Sequence, residues 1–298
     1  MRTLKLVRTR IGDEGAQALA AGIIGSSTLR NVSLANNKIT DAGAKALAEA
    51  VRRCPTLASV DLEANNIADD GVQALASAIG ASTSFTTISL TRNEQVTDRG
   101  VEALAAAVAR SATLRSIALS HNNITSVGAA ALASSIARSP SFQRIFLNNN
   151  KITDDGAVAM ADAIEKSATL TCVAMGSNNI TDYGAHALGA AFNSTRSLES
   201  LDLQFNKLSN QGARALAAFV ELAPVPILAQ CYDVDMDRGG DVVALMVKSY
   251  HFVAQPRHRA RQGVLTLFAR GRGDAPVERF GVRDGDHAVL ARVLRFLL

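Results

Sequence analysis

LRNVSLANNKITDAGAKALAEAVRRCPT, residues 29–56, is the stretch from which the rest of the chain reads. Leu29, Val32 and Leu34 stand at offsets 0, 3 and 5 and Asn37 at offset 8. Ile39, Asp41 and Gly43 follow, then an alanine-rich segment carrying Leu47 and Val51. The unit returns at Leu57, Phe85, Leu114, Phe142, Leu170 and Leu198, and a truncated copy starts at Met1, so eight units fill residues 1–225. A fixed period of this length marks an array in which each unit buries its apolar face only by stacking on its neighbours.

Each column of the unit has a physical reading. Offsets 3 and 5 are apolar while offsets 2, 4 and 6 are mostly small or polar, as in Val60 and Leu62 or Ile145 and Leu147. A period of two is a strand with one buried face. Offset 8 holds Asn37, Asn65, Asn93, Asn122, Asn150, Asn178 and Asn206, with Thr9 in the first unit. An amide both donates and accepts, so a stacked asparagine ladder satisfies backbone groups where each strand turns inward. Asp13, Asp41, Asp69, Asp98, Asp154 and Asp182, with Ser126 and Asn210 in two units, are placed to cap the helices that follow. Glycine two residues later, as at Gly43 and Gly71, implies close helix packing. Pairs four apart, such as Leu47 with Val51 and Leu132 with Ile136, give each helix one face against the strands.

The pattern LxxLxLxxNxI(T/S)DxGAxALAxAI, seen in FQRIFLNNNKITDDGAVAMADAI at residues 142–164, resembles the ribonuclease-inhibitor-like subfamily of leucine-rich repeats. That subfamily also takes in the repeats of Ran GTPase-activating proteins and NOD-like receptors. The resemblance implies an α/β solenoid, a horseshoe with a parallel concave sheet and convex helices. It further implies a non-enzymatic scaffold that binds a protein on the concave face. Two alternatives stand beside that reading: a GTPase-activating protein similar to the Ran regulators, and a fragment of a larger receptor or ubiquitin-ligase adaptor. The Ran regulators pair their repeats with a strongly acidic tail, whereas the tail here is basic, and Arg92 is the one arginine that reading would test.

Residues 226–298 are expected to form a C-terminal cap or small α/β extension, because the repeat fails at Pro224 to Pro226. Ile227, Ala229 and Cys231 alternate as in a ninth strand. Asp241 opens a helical pattern through Val242, Leu245, Met246, Tyr250 and Val253, residues 264–268 read as a strand and residues 286–298 as a closing helix. The tail carries 11 Lys/Arg against 8 Asp/Glu, and residues 1–225 carry 20 against 19. Arg257-His258-Arg259-Ala260-Arg261 would suit an acidic partner. The run from Asp233 to Asp237 fails as a calcium loop, since Arg238 stands where glycine is needed and Ala244 where glutamate is.

Several classes are weighed against. No apolar run approaches the length of a membrane span, and Met1-Arg2-Thr3-Leu4 carries no signal-peptide pattern, which points to the cytoplasm with the nucleus as the alternative. Leu4 and Leu6 have little before them to cover them, so the chain is a fragment, its first unit frays, or another surface covers it. Cys54, Cys172 and Cys231 share no metal-ligand spacing and read as reduced thiols. No motif for a metal, a cofactor or a catalytic nucleophile is present, and an aromatic content of 4% argues against nucleic acid.

The expected site is the concave face. Offset 7 aligns Arg92, His121 and Asn149 in consecutive units; beside them lie Arg144, Phe146 and Asn148, and Asp61 with Glu63 form an acidic patch in the third unit. An aromatic flanked by arginine has the composition of an interface anchor. The fourth unit is one residue longer, with Glu94 and Gln95 between the ladder asparagine and the helix.

Overall fold

The computed structural model describes residues 2–224, 228–231, 242–248 and 267–270. Eight short strands alternate with eight helices: β1 Thr3–Lys5, α1 Asp13–Ile24, β2 Asn31–Ser33, α2 Asp41–Arg53, β3 Ser59–Asp61, α3 Asp69–Ala81, β4 Thr87–Ser89 and α4 Asp98–Arg110 form the first half. The second half comprises β5 Ser116–Ala118, α5 Ser126–Ile136, β6 Arg144–Phe146, α6 Asp154–Lys166, β7 Cys172–Ala174, α7 Asp182–Ala190, β8 Ser200–Asp202 and α8 Asn210–Leu222. Strands β1 to β8 pair in parallel, in sequence order and one repeat apart, as in Val32 opposite Val60. The array is a solenoid with an open sheet, as its periodicity requires.

The core is the apolar columns stacked end on end. In the fourth unit Phe85, Ile88, Leu90, Val96, Val101, Leu104 and Val108 are wholly buried. Burying such side chains contributes roughly 2 kcal/mol each before chain entropy is subtracted. Short strands suffice because each of the second to eighth units is clamped on both sides.

The asparagine ladder spans neighbouring units. Asn150 is representative: its Oδ1 accepts from the Ile124 N–H at 3.1 Å, and its Nδ2 donates to the carbonyls of Leu119 and Leu147, each at 3.0 Å. One amide thus satisfies groups of its own unit and of the unit before it. In the longer fourth unit the pattern changes: Asn122 Oδ1 takes the N–H of the ladder residue Asn93 and not that of Val96, whose N–H turns back to the Asn93 carbonyl. Val96 thereby keeps the buried position that Ile39, Ile67 and Ile124 hold in their units, and the extra residue is pushed out at the exposed Glu94 and Gln95.

The aspartates do not cap their own helices. They are the first helical residues, preceded by N-cap threonines such as Thr40, Thr125 and Thr181. Each carboxylate instead reaches across to the start of the following helix. Asp98 Oδ1 accepts from Thr125 N–H at 2.8 Å and Gly128 N–H at 3.0 Å, and its Oδ2 accepts from the Thr125 hydroxyl at 2.6 Å. A second ladder therefore ties helix to helix, bringing an anion to the positive start of each following helix except α6, where the rung is the neutral Ser126. It also explains the glycines, since a Cβ on Gly128 would lie 2.5 Å from Asp98 Oδ1. Asp13 shows the balance of forces on such a rung. Burial raises its carboxyl, but the Thr40 hydroxyl and the Thr40 and Gly43 N–H groups outweigh that and hold it below the ordinary value.

Past α8 the sheet continues through β9 Leu228–Cys231, β10 Val242–Lys248 and β11 Leu267–Arg270. Strand β9 joins β8 in parallel, as the alternation of Ile227, Ala229 and Cys231 suggested. The helix expected from Asp241 is overturned: Val242–Lys248 is a strand, antiparallel between β9 and β11. Its β-branched Val242, Val243 and Val247 suit a sheet, and the free edge of β9 supplies backbone partners that helical spacing ignores. The strand expected over 264–268 falls at Leu267–Arg270. Residues 233–237, 257–261 and 286–298 lie outside the described residues.

Candidate interaction face

The concave side of the sheet is built from offsets 2, 4 and 6, with offset 7 along its rim. Every rim residue is left-handed: Arg8, Asn36, Ala64, Arg92, His121, Asn149, Ser177 and Phe205 have φ between 52° and 58°. This conformation costs a residue with a Cβ about 1–2 kcal/mol, with asparagine the most tolerant. Backbone pairing offsets it from Arg8 through Ser177, because these rim N–H groups donate into the next unit: Arg92 to the Ser120 carbonyl at 2.9 Å, His121 to Asn148 at 2.8 Å and Asn149 to Gly176 at 2.9 Å. Arg92, His121 and Asn149 are thus consecutive, as their spacing predicted, and each stands on a fixed turn.

On the strands, Arg144 is exposed beside Ser116 and Cys172. Phe146 is half-buried rather than exposed, between Ala118 and Ala174 in the paired strands. Small neighbours leave a ring room to lie down on the sheet, and Ala174 is nearly inaccessible. Asn148 has a structural bond, its Oδ1 accepting from Gly176 N–H at 2.7 Å. Asp61 is likewise engaged: Oδ2 accepts from the Ser33 hydroxyl at 2.8 Å and Oδ1 from the Glu63 N–H at 3.1 Å. Glu63 is half-buried beside it. Three strand spacings, about 14 Å, separate Asp61 from Phe146, so the acidic pair and the Arg144 cluster form two halves of one face.

Two residues that composition passed over extend this face. Asp202 shares the column of Asp61 and Phe146; burial pushes its carboxyl above the ordinary value, partly countered by the Gln204 N–H. Phe205 is 56% exposed on the rim. Both were signalled by offset alone, since position 4 and position 7 side chains must face the concave side. On the neighbouring strand β7, between Arg144 and Ser200, lies Cys172, whose thiol burial pushes up while the Arg144 charge and a Ser200 hydrogen bond pull it down. Cys54 and Cys172 are free thiols. Among the described residues no three His, Cys, Asp or Glu side chains are grouped as metal ligands, and no helix is long and apolar enough to cross a membrane.

The chain is similar in fold to a solved structure titled "Leiomodin-1 Actin-Binding Site 2 (ABS2)", at 15% identity, a TM-score of 0.44 and coverage of 51% of this chain and 87% of that one. A tropomodulin C-terminal domain from Caenorhabditis elegans matches at 14% identity and a TM-score of 0.45, over 51% of this chain and 92% of that one. No curated protein sequence matches the chain. The family profile described as "Leucine Rich repeat" matches eight times, at residues 1–20, 25–48, 53–76, 81–105, 110–133, 139–161, 166–189 and 195–217. These eight matches fall on the eight stacked strand–helix units, and the chain belongs to the leucine-rich-repeat family.

Proposed function

We propose that the array is a non-enzymatic scaffold that binds a partner protein on its concave face, around Asp61, Glu63, Arg92, His121, Arg144, Phe146, Asn148 and Asn149. The observation that carries this reading is the fixed rim. Arg92, His121 and Asn149 project from three consecutive turns whose backbone N–H groups are already paired, beside the exposed Arg144 and half-buried Phe146. Side chains held on a rigid frame bind with little ordering cost. The kinship to the ribonuclease-inhibitor-like subfamily, resting on the motif at residues 142–164, belongs to this proposal, as do a cytoplasmic location, a separate domain at 226–298 and an acidic partner for the tail.

The test is affinity capture from source-cell lysate with the native chain and a triple variant, Arg92→Asn, Arg144→Glu, Phe146→Ala. Asparagine at 92 removes the charge while suiting the left-handed turn. Loss of a specific protein from the variant, with unchanged circular dichroism, supports the reading; identical captures reject it. A small GTPase whose hydrolysis the native chain accelerates would favour the enzymatic alternative.

A further inference from the structure

The seventh unit carries only small side chains on the concave sheet. Its strand contributes Cys172, Ala174 and Gly176, where the sixth unit contributes Arg144, Phe146 and Asn148 and the eighth Ser200, Asp202 and Gln204. Phe146 and Asp202 stand in register on either side of Ala174, two strand spacings or about 10 Å apart. Larger side chains thus wall a floor of small ones.

That floor is lined with acceptors. A Cβ built on Gly176 would have as its three nearest atoms the Gln204 carbonyl oxygen at 3.0 Å, Asp202 Oδ2 at 3.3 Å and Asn148 Oδ1 at 3.4 Å. The Gly176 N–H donates to Asn148 Oδ1 at 2.7 Å, which turns the oxygen of that amide, and not its NH2, towards the spot. The Gln204 carbonyl is fixed by the Ser177 N–H at 2.6 Å, and Asp202 Oδ1 by the Gln204 N–H at 3.0 Å. No ion pair among the described residues engages Asp202, and Arg144 stands in the next column, opposite Cys172. Oxygens from two strands therefore converge on a third with no cation among them, an arrangement that suits a charged donor from outside. Burial also raises the Asp202 carboxyl, so its charge opposes folding, as is common for groups kept for recognition.

We propose that this slot receives an arginine side chain of the partner protein, its guanidinium lying against Phe146 and donating to Asp202 Oδ2 and the oxygens beside Gly176. A planar fork stacks on a ring while donating to several acceptors, which a lysine ammonium does less well. The inference rests on the concave-face reading; it carries that face into the eighth unit and gives the partner an anchor of stated chemistry.

Selection of short randomised peptides on the full chain, followed by fluorescence anisotropy of those recovered, tests it. The selected peptides are expected to share an arginine, and replacing it with citrulline, the neutral analogue of the same shape, should weaken binding about tenfold or more, as for a hydrogen bond to a charged group. Asp202→Asn should weaken the arginine peptides by a similar factor and leave the citrulline peptides unchanged, with circular dichroism confirming the fold. Phe146→Leu, which keeps apolar bulk but removes the ring face, should weaken them by a smaller factor. A selection that returns no peptide dependent on an arginine would overturn the proposal. Peptides weakened by Arg92→Asn or Arg144→Glu but indifferent to citrulline and to Asp202→Asn would overturn it and leave the concave-face reading standing. Peptides indifferent to all of these changes would overturn both.

Discussion

Ser126→Asp should stabilise the protein, because the aspartate ladder has its gap there. At this rung Ser126 Oγ accepts from Thr153 N–H at 3.0 Å and pairs with the Thr153 hydroxyl at 2.8 Å, but no bond from it reaches the Gly156 N–H. The Asp98 rung holds the equivalent glycine at 3.0 Å and does so with a charge. Room exists, since position 156 is already glycine and the Asp41 rung faces an equally acidic helix start, Asp69 and Asp70. A charged acceptor at a helix terminus contributes about 1 kcal/mol, drawn from the added bond and the helix dipole and reduced by repulsion from Asp154 and Asp155. For a chain of this size that is a rise of about 2–4 °C in midpoint. Thermal melts at pH 7 should show the rise, melts at pH 3 should show it largely lost, and hydrogen exchange at the Gly156 amide should slow. The converse change, Asp98→Ser, should lower the midpoint by a similar amount. A rise of equal size in Ser126→Asn would refute the electrostatic part of the reasoning, and no rise in either variant would refute the ladder.

Other consequences are as direct. Asn150→Ala leaves the buried Ile124 N–H without its partner and takes one of two amide donors from each of the Leu119 and Leu147 carbonyls, and should cost roughly 2 kcal/mol in urea unfolding, far more than Asn66→Ala at an exposed position. Two glycine-to-alanine changes should have opposite signs: Gly22→Ala, with nothing within 4 Å of the added Cβ, gains about 0.5–1 kcal/mol of helix propensity, whereas Gly128→Ala collides with Asp98 and destabilises. Asp202 has a folded-state carboxyl raised by burial, so ionising it opposes folding. Its cost is full above the folded value and disappears as pH falls below the ordinary carboxylate range. Asp202→Asn should therefore raise the midpoint at pH 7 and have little effect at pH 3, measured by parallel melts.

The fold was legible because a solenoid repeats its own test. Leucine at offsets 3 and 5 and asparagine at 8 recur until no other stacking satisfies them. What escaped the sequence depended on register between units. Asp98 precedes a helical run and so reads as a cap of its own helix, but only the stacked geometry shows that Thr125 and Gly128 of the next unit are its partners. The left-handed rim was hinted by Asn36 and Asn149 and masked by Arg92 and Phe205, residue types with no preference for positive φ. Val242–Lys248 misled because its apolar residues fit helical spacing as well as a strand, and a neighbouring edge decided between them. Phe146 belongs to the same class: its place on the concave side followed from offset 4, but its partial burial depended on the alanines paired to either side.

Photo-crosslinking tests the concave-face account most directly. A benzophenone amino acid replaces Ala118, which lies between Ser89 and Phe146 on the concave sheet, or Glu102, exposed on the outer face of α4. Irradiation in source-cell lysate should join a discrete partner to the chain carrying the probe at 118, and that adduct should disappear with Arg144→Glu. A partner joined at 102 and not at 118 would contradict the account and move the interaction to the helical face.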